Sequence, residues 1–287
     1  MKFWYNEQSP THIGSGIPEK EKRLSLLDKS KLEAKTGQIE RYSPFFSLAH
    51  SEDYLVKLRT DSVIWKEAPT NPGSYKAISS YASLCLEAAD LLVSDNQSTF
   101  VVGRPPGHHS HRSWTWGFCF INNAALTAIY FHKEHKKRVA ALDFDLHHGD
   151  GTEEILNRLP EGDTLFVSTY DALNFPGTKY NLLEETLQRN TYHLPIIENT
   201  RDSNFLPIIK KIERKLKEFD PEVLVVSAGF DMCHFDTETR AMPSKISITS
   251  ESYKAFKNIC NQYPHIIILE GGYSPKSIKE GLDSFGL

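Results

Sequence analysis

Short apolar runs rich in β-branched residues alternate with longer amphipathic segments along most of this chain. The runs at 99–102, 138–142, 164–168, 223–227 and 265–269 predict strands. The segments at 77–93, 122–133, 203–218 and 250–262 predict helices, the third with a clear apolar stripe. This alternation predicts an α/β fold with a central parallel sheet flanked by helices on both faces.

The chain shows no internal boundary. No repeat, low-complexity tract or Pro/Ser-rich linker interrupts the 287 residues, so we expect one catalytic domain over 1–287. The first 75 residues are more polar and less periodic than the rest. We expect them to form peripheral helices and loops that frame a site.

Carboxylates and a histidine follow the run at 139–142. Side chains alternate faces along a strand, so Asp143, Asp145 and His147 tend to point the same way as the chain leaves the sheet. Buried acidic groups cost several kcal/mol, on the order of desolvation values, unless a cation or hydrogen bonds compensate them. With Asp231 after the run at 223–227, Asp145 and His147 would give a divalent cation three ligands. The alternative is a set of turn and cap residues, because Asp and Gly favour turns.

Adjacent histidines follow the run at 99–102. Pro105-Pro106 stiffens the loop that holds His108 and His109, and a general base needs such a fixed position. Asp143 and Asp150 would orient these two rings. Surface or capping histidines are the alternative.

Aromatic residues also lie in glycine-containing loops. Tyr273 follows Gly271-Gly272 after the last run, where its phenol would donate a hydrogen bond to a substrate carbonyl. Phe118 and Phe175 would form the walls of a narrow apolar channel. Taken alone, Tyr273 is equally well interpreted as a packing residue, and phenylalanines such as Phe118 and Phe175 are more often plain packing residues.

Composition and charge argue against several kinds of partner and indicate a cellular compartment. A hydrophobic content of 39%, a charged content of 24% and a net charge of −4 are typical of a globular protein and do not favour nucleic acid or an acidic membrane as partner. Four cysteines without a CxxC pair indicate a reducing compartment. We find no signal peptide and no segment near the roughly 20 apolar residues of a membrane span. We therefore expect a cytoplasmic protein, with export by a signal-independent route left open.

Six motifs together resemble one enzyme family. They are Arg104-Pro-Pro-Gly-His-His109, Gly117-Phe-Cys-Phe-Ile-Asn-Asn123, Asp143-Phe-Asp-Leu-His-His-Gly-Asp-Gly-Thr152, Phe175-Pro-Gly177, Ser227-Ala-Gly-Phe-Asp231 and Leu269-Glu-Gly-Gly-Tyr273. Their order is that of the zinc-dependent histone deacetylases and acetylpolyamine amidohydrolases, which share the arginase–deacetylase fold. Weaker matches occur at Pro18-Glu19 with Arg23 and at His50-Ser-Glu-Asp-Tyr54.

The resemblance implies a role for each site residue. It implies zinc ligands at Asp145, His147 and Asp231, with His109 as general base and then general acid, held by Asp150. His108, paired with Asp143, would tune the site, and Tyr273 would polarise the scissile carbonyl. The substrate-binding residues would be Gly117, Phe118 and Phe175. A structural monovalent cation, usually K⁺, would have ligands that include Asp143, Asp145, His147 and Ser168.

The resemblance implies hydrolysis of N-acetyl-lysine amides in proteins or peptides, with release of acetate. Histone tails are one candidate for such a substrate. An acetylpolyamine or another small acetylated amine is the alternative substrate, and a reader that binds acyl-lysine without turnover is disfavoured because His109 and Tyr273 are both present. Departures from the family pattern lie at 110–116, with two tryptophans and an extra histidine, and at 232–247. Asp236 and Glu238 at the pocket mouth would suit a polyamine, whereas Trp114, Trp116 and Arg240 would suit a peptide.

Overall fold

A computed structural model of the chain describes residues 1–14, 17–60, 69–177, 179–236 and 245–287. Its strands are β1 (Lys2–Asn6), β2 (Glu33–Lys35), β3 (Thr99–Val102), β4 (Val139–Asp143), β5 (Thr164–Asp171), β6 (Thr186–Gln188), β7 (Thr191–Ile196), β8 (Val223–Ala228) and β9 (His265–Leu269). Its α-helices are α1 (Ile39–Tyr42), α2 (Glu52–Arg59), α3 (Ser74–Asp95), α4 (Asn123–Glu134), α5 (Asp150–Leu156), α6 (Asp202–Phe219), α7 (Ser250–Cys260) and α8 (Pro275–Phe285). Short 3₁₀ helices occupy Ser9–Thr11, Glu21–Leu24, Lys29–Lys31 and Ser43–Leu48.

The nine strands of the described residues form one sheet in the order β2-β1-β3-β9-β8-β4-β5-β7-β6. Every neighbouring pair is parallel except β6 and β7. Alternation along the strands divides the core: Val101 and Ala141 pack into one hydrophobic cluster, and Phe100 and Leu142 pack into the other. Helices α3 and α4 cover the first face, and α6, α7 and α8 cover the second. The predicted α/β class, the parallel sheet and its two helical layers are confirmed.

The N-terminal part of the chain differs from our expectation. Residues 1–75 are not only peripheral, because β1 lies inside the sheet and pairs in parallel with both β2 and β3. The pairing of Trp4 with Val101 places the chain start directly beside the strand that leads to the histidine loop. The polar character of the region concealed this short, largely buried strand.

Helix α3 corrects the expectation that no segment approaches the length and apolar character of a membrane span. By length and composition alone, this 22-residue helix would be able to cross a membrane. Of its most apolar window, 72% is buried inside the protein, and the helix packs on β1, β3 and β9. The apolar length of α3 is accounted for by burial in the core.

Candidate active site

Four neighbouring strands carry the predicted site residues at their carboxyl ends. Strands β3, β9, β8 and β4 are adjacent in the sheet, and the chain leaves each of them into a loop with ionisable side chains. His108 and His109 follow β3, Tyr273 follows β9, and Asp231 follows β8. Parallel strands bring these loops to one edge of the sheet, where sites of α/β proteins collect.

Asp145, His147 and Asp231 form the candidate metal centre. Their ligand atoms all lie within 4.8 Å of one another. His147 Nδ1 is 3.0 Å from Asp145 Oδ1 and 3.0 Å from Asp231 Oδ2. The side chains of both carboxylates are completely buried, whereas 12% of the His147 side chain is exposed.

The surroundings of the triad fit a cation. Asp231 Oδ2 is buried and accepts no hydrogen bond of acceptable geometry, although Oδ1 accepts one from Leu146 N at 2.9 Å. Two glycines close the space behind the carboxylates: a Cβ on Gly229 would lie 2.1 Å from Asp145 Oδ2, and a Cβ on Gly271 would lie 2.6 Å from Asp231 Oδ2. Two carboxylates and one imidazole directed at one point form a ligand set for a divalent ion.

Proton affinities at the triad agree with this interpretation. Burial, followed by the charge of Asp145, raises the pKa of Asp231 to about 7. Burial opposes a charged His147, but its hydrogen bond with Asp145 and the negative charges of Asp231 and Asp145 outweigh burial and raise the pKa of His147 to about 10. The triad thus attracts positive charge, and a divalent cation bound there would replace the proton.

The two histidines after β3 face separate carboxylates. His108 Nδ1 lies 3.0 Å from Asp143 Oδ2, and His109 Nδ1 lies 2.7 Å from Asp150 Oδ1. Burial opposes charge on His108, but Asp145 and Asp143 outweigh it and raise its pKa well above the ordinary value. Burial and the neighbouring His108 charge lower the pKa of His109 to about 3, so the His109 ring is neutral at physiological pH.

The Tyr273 loop is fixed from two sides. Asp236 Oδ2 accepts hydrogen bonds from Tyr273 N at 2.6 Å, Ser274 N at 3.1 Å and Ser277 Oγ at 2.8 Å. Arg23 Nη1 donates to Gly272 O at 2.9 Å. Burial, then the charges of Asp145 and Asp231, raises the pKa of Tyr273 well above 10, so the phenol keeps its proton.

The expectation that Asp236 lies at the pocket mouth is therefore wrong. It is fully buried and its carboxylate caps backbone N–H groups, so it does not meet a substrate. Glu238 and Arg240 lie outside the described residues.

The predicted channel residues lie on different sides of the site. The Phe175 ring meets His109 at 4.8 Å and 90°, whereas the Phe118 ring meets Tyr273 at 5.9 Å and 76°. Gly117 adopts φ +54°, and a Cβ there would lie 2.6 Å from His109 Cδ2. Only glycine lets the backbone approach the base so closely.

Sequence reasoning missed several buried partners of the site. Glu270 Oε2 accepts hydrogen bonds from Gly107 N at 2.7 Å and His108 N at 3.2 Å, which fixes the histidine loop. Asp150 Oδ2 accepts hydrogen bonds from His111 Nε2 and Trp116 Nε1, both at 2.9 Å. Glu270 was visible in the last motif, but the Asp150 contacts arise only from tertiary structure.

Comparison with known proteins gives a consistent result. Residues 18–285 match the family model described as histone deacetylase domain. The chain is 29% identical to a histone deacetylase-like amidohydrolase of Pseudomonas aeruginosa, over 93% of this chain and 74% of that protein. It is 30% identical to an acetylpolyamine amidohydrolase of Burkholderia pseudomallei, over 76% of this chain and 63% of that protein.

Solved structures agree on the fold. The crystal structure of an acetylpolyamine aminohydrolase from Burkholderia pseudomallei superimposes with a TM-score of 0.82 at 22% identity, over 99% of this chain and 97% of that one. The HD domain of HDA15 superimposes with a TM-score of 0.84 at 20% identity, over 99% and 89%. With the family match over residues 18–285, these findings show that the chain belongs to the histone deacetylase family and is an amide-hydrolysing enzyme.

Proposed function

We propose that this protein is a zinc-dependent deacetylase that hydrolyses N-acetyl-lysine amides in proteins or peptides. The observation that carries the proposal is the buried triad of Asp145, His147 and Asp231 beside the His109–Asp150 pair. One arrangement thus supplies a cation site, a neutral imidazole and, from Tyr273, a protonated phenol. These are the groups that amide hydrolysis requires.

The triad would hold the zinc ion. When bound, zinc supplies Lewis acidity and a lowered pKa of bound water. Asp145 and Asp231 would each give one carboxylate oxygen, and His147 would give Nδ1, the atom that faces both of them. His147 must lose its proton on binding, because a protonated imidazole nitrogen has no lone pair for a metal.

His109 is the proposed general base and general acid. Its Nδ1–H donates to Asp150, which leaves Nε2 to take a proton from water and later return it to the leaving amine. The low pKa of His109 keeps this nitrogen unprotonated before the reaction. His108, held by Asp143, adds positive charge beside the developing negative charge.

The remaining residues would bind substrate. Tyr273 donates its phenolic hydrogen to the carbonyl oxygen as that oxygen becomes negative. Phe118 and Phe175 would enclose the methylene chain of the acyl-lysine, and Gly117 gives the room beside His109.

A monovalent cation, K⁺ by family resemblance, would bind beside the zinc site. The register of β4 and β5 supports this proposal, because it pairs Asp143 with Ser168. Ser168 Oγ already contacts His148 Nδ1 at 2.9 Å, and His148 Nε2 contacts Glu153 at 2.6 Å. His148 is therefore engaged by Ser168 and Glu153 rather than by the proposed zinc ligands.

A small acetylated amine is the second candidate substrate. It is favoured by the names of relatives such as the Burkholderia and Pseudomonas acetylpolyamine amidohydrolases. The buried position of Asp236 removes one of the two carboxylates that we expected to meet a distal ammonium. Trp114, 37% exposed beside the site loop, suits contact with a peptide.

Acetate release tests both candidates. The zinc-loaded protein is incubated with an acetyl-lysine peptide and, separately, with N-acetylspermidine, each with and without a zinc chelator. We expect chelator-sensitive release with the higher kcat/KM on the peptide. A higher kcat/KM on N-acetylspermidine would select the second candidate, and no release from either by zinc-loaded protein would contradict the deacetylase proposal.

A further inference from the structure

One carboxylate at the site is shared between two imidazoles. Asp150 Oδ1 faces His109 Nδ1 at 2.7 Å, and Asp150 Oδ2 faces His111 Nε2 at 2.9 Å. Trp116 Nε1 donates to the same Oδ2 at 2.9 Å. The role proposed above for Asp150 uses only its first oxygen, so the contacts on its second oxygen remain to be explained.

The structure holds His111 firmly in this position. The ring stacks on Trp114 with centroids 3.9 Å apart and planes 11° from parallel, and the residue is 3% exposed. Its backbone carbonyl contacts His50 Nδ1 at 2.9 Å, and its backbone N–H donates to Trp114 O at 3.0 Å. Burial lowers the pKa of His50 to about 4, so His50 is neutral and its Nδ1–H can donate steadily.

His111 lies between two carboxylates. Besides Asp150, Glu154 Oε2 lies 3.5 Å from His111 Nδ1. Burial opposes charge on His111, but its hydrogen bonds with Asp150 and Glu154 outweigh burial and raise its pKa. The ring is thus biased towards the imidazolium form.

His111 lines a cavity of about 690 Å³, and other titratable groups line it too. The titratable and charged residues that line it or adjoin His111 are His50, His109, Arg112, Asp150, Glu153, Glu154, Arg158, Lys179, Tyr180 and His193. Arg158 pairs with Glu154 at 3.4 Å, and Lys179 lies 5.2 Å from the Tyr180 ring centroid. Asp150 is therefore the carboxylate that connects His111 to His109.

We propose that His111 is a positioning residue for His109: its Nε2 fixes the second oxygen of Asp150 and so holds in place the carboxylate that orients the His109 ring. The inference rests on the proposed function, since it concerns the proposed base. A carboxylate that is hydrogen-bonded at both oxygens keeps one orientation, so His109 keeps the Nδ1 contact that leaves its Nε2 free to act as a base.

Two substitutions separate the hydrogen bond from the charge. His111→Gln keeps an N–H donor for Asp150 without a charge. His111→Phe keeps an aromatic ring on Trp114 but has neither donor nor charge. His132→Gln is the matched control, because His132 pairs with Asp163 at 3.4 Å on another part of the surface.

Steady-state kinetics of the zinc-loaded variants are measured at pH 8. The kcat at pH 8 should fall roughly tenfold in His111→Phe and less than about threefold in His111→Gln, which retains the donor. KM should change less than about twofold, because His111 does not touch the substrate, and His132→Gln should match the wild type.

A measurement without substrate reads the same contact. The ¹⁵N chemical shifts of the imidazoles in zinc-loaded protein report the tautomer of each ring, and His109 should hold its Nδ1–H form in the wild type and in His111→Gln but exchange between tautomers in His111→Phe. This result decides the inference even where no acetylated substrate is turned over, a finding that would overturn only the proposed function. An unchanged tautomer of His109 in His111→Phe, with an unchanged kcat, would overturn the inference. So would a rise in KM at constant kcat, which would make His111 a substrate contact.

Discussion

The negative charge of buried Glu19 is compensated in a different way from the charges of buried Asp145 and Asp231. Glu19, which is fully buried, accepts a bidentate pair from Arg104 at 2.7 and 2.8 Å and lies 3.3 Å from Arg23 Nε. Asp145 and Asp231 are equally buried, yet within the described ranges neither forms an ion pair with a Lys or Arg side chain.

The difference separates a structural charge from a functional one. Glu19 has its cations within the chain, and these also link the N-terminal region to the site, because Arg23 donates to Gly272 O and Arg104 donates to His12 O. Asp145 and Asp231 face each other across one imidazole, an arrangement that attracts a cation from solution. Substitution of Glu19 should therefore lower the stability of the fold, whereas substitution of Asp145 or Asp231 should lower metal binding.

Asp231→Asn should give the largest effect. It removes one of the two charges that attract the cation while it keeps the shape of the side chain. We expect deacetylation to fall more than about a hundredfold and zinc content to fall with it. Metal analysis of the purified variant alongside acetate release checks this. Full zinc content in a folded Asp231→Asn would contradict the ligand assignment.

Tyr273→Phe should lower turnover and spare the metal. It removes the donor proposed for the carbonyl oxygen and leaves the ring and its loop contacts in place. A drop in kcat of about 10²–10³ is expected at unchanged zinc content. Steady-state kinetics on metal-quantified protein measure it. A Tyr273→Phe variant with wild-type kcat would remove the phenol from the mechanism.

Glu19→Gln should act on the other side of the comparison. It leaves Arg104 and Arg23 buried without their carboxylate, which costs about 3–5 kcal/mol in the free energy of unfolding. Urea denaturation measures the loss, and protein that remains folded should still bind zinc. Glu185→Gln is the matched control, since Glu185 is exposed and pairs with Lys211 at the surface. Equal stability of the two variants would show that the buried pair is not structural.

His12, beside Glu19, should make stability depend on pH. Burial lowers its pKa to about 4, against 6.5 for a free histidine. Between these values the unfolded chain binds the proton more tightly, so the free energy of unfolding should fall by up to about 3 kcal/mol as pH drops from 6.5 to 4. Above pH 6.5 this contribution is fully present.

His12→Gln is the control for that dependence. Glutamine carries no titrating group, so its urea-denaturation profile should be flatter by the same amount over this pH range. Parallel profiles for the wild type and His12→Gln would show that His12 does not titrate differently in the folded state.

The sequence was informative where local pattern determines structure. The predicted strands at 99–102 and 265–269 have the same bounds in the structure, because continuous β-branched runs between polar turns leave little freedom. Since parallel strands end at one edge, the runs at 99–102, 138–142 and 223–227 also place His109, Asp145 and Asp231 close together.

The rest depends on tertiary contacts that no local pattern encodes. Strand β1 is five residues long and gains its stability from pairing with β2 and β3, so its sequence alone is ambiguous. Asp236 was expected at the pocket mouth, but it turns inward to bind the backbone of Tyr273. His111 stood out in the sequence only as an extra histidine in the segment 110–116, and only the folded chain brings it to the second oxygen of Asp150.

Metal removal and return test the central claim most directly. The wild-type protein is stripped with a chelator, metal analysis confirms the loss, and acetate release is followed as zinc is added back. The account predicts that activity disappears and returns in full at about one zinc per chain, while Asp231→Asn treated in the same way does not recover. Acetate release by protein verified to be metal-free would contradict it.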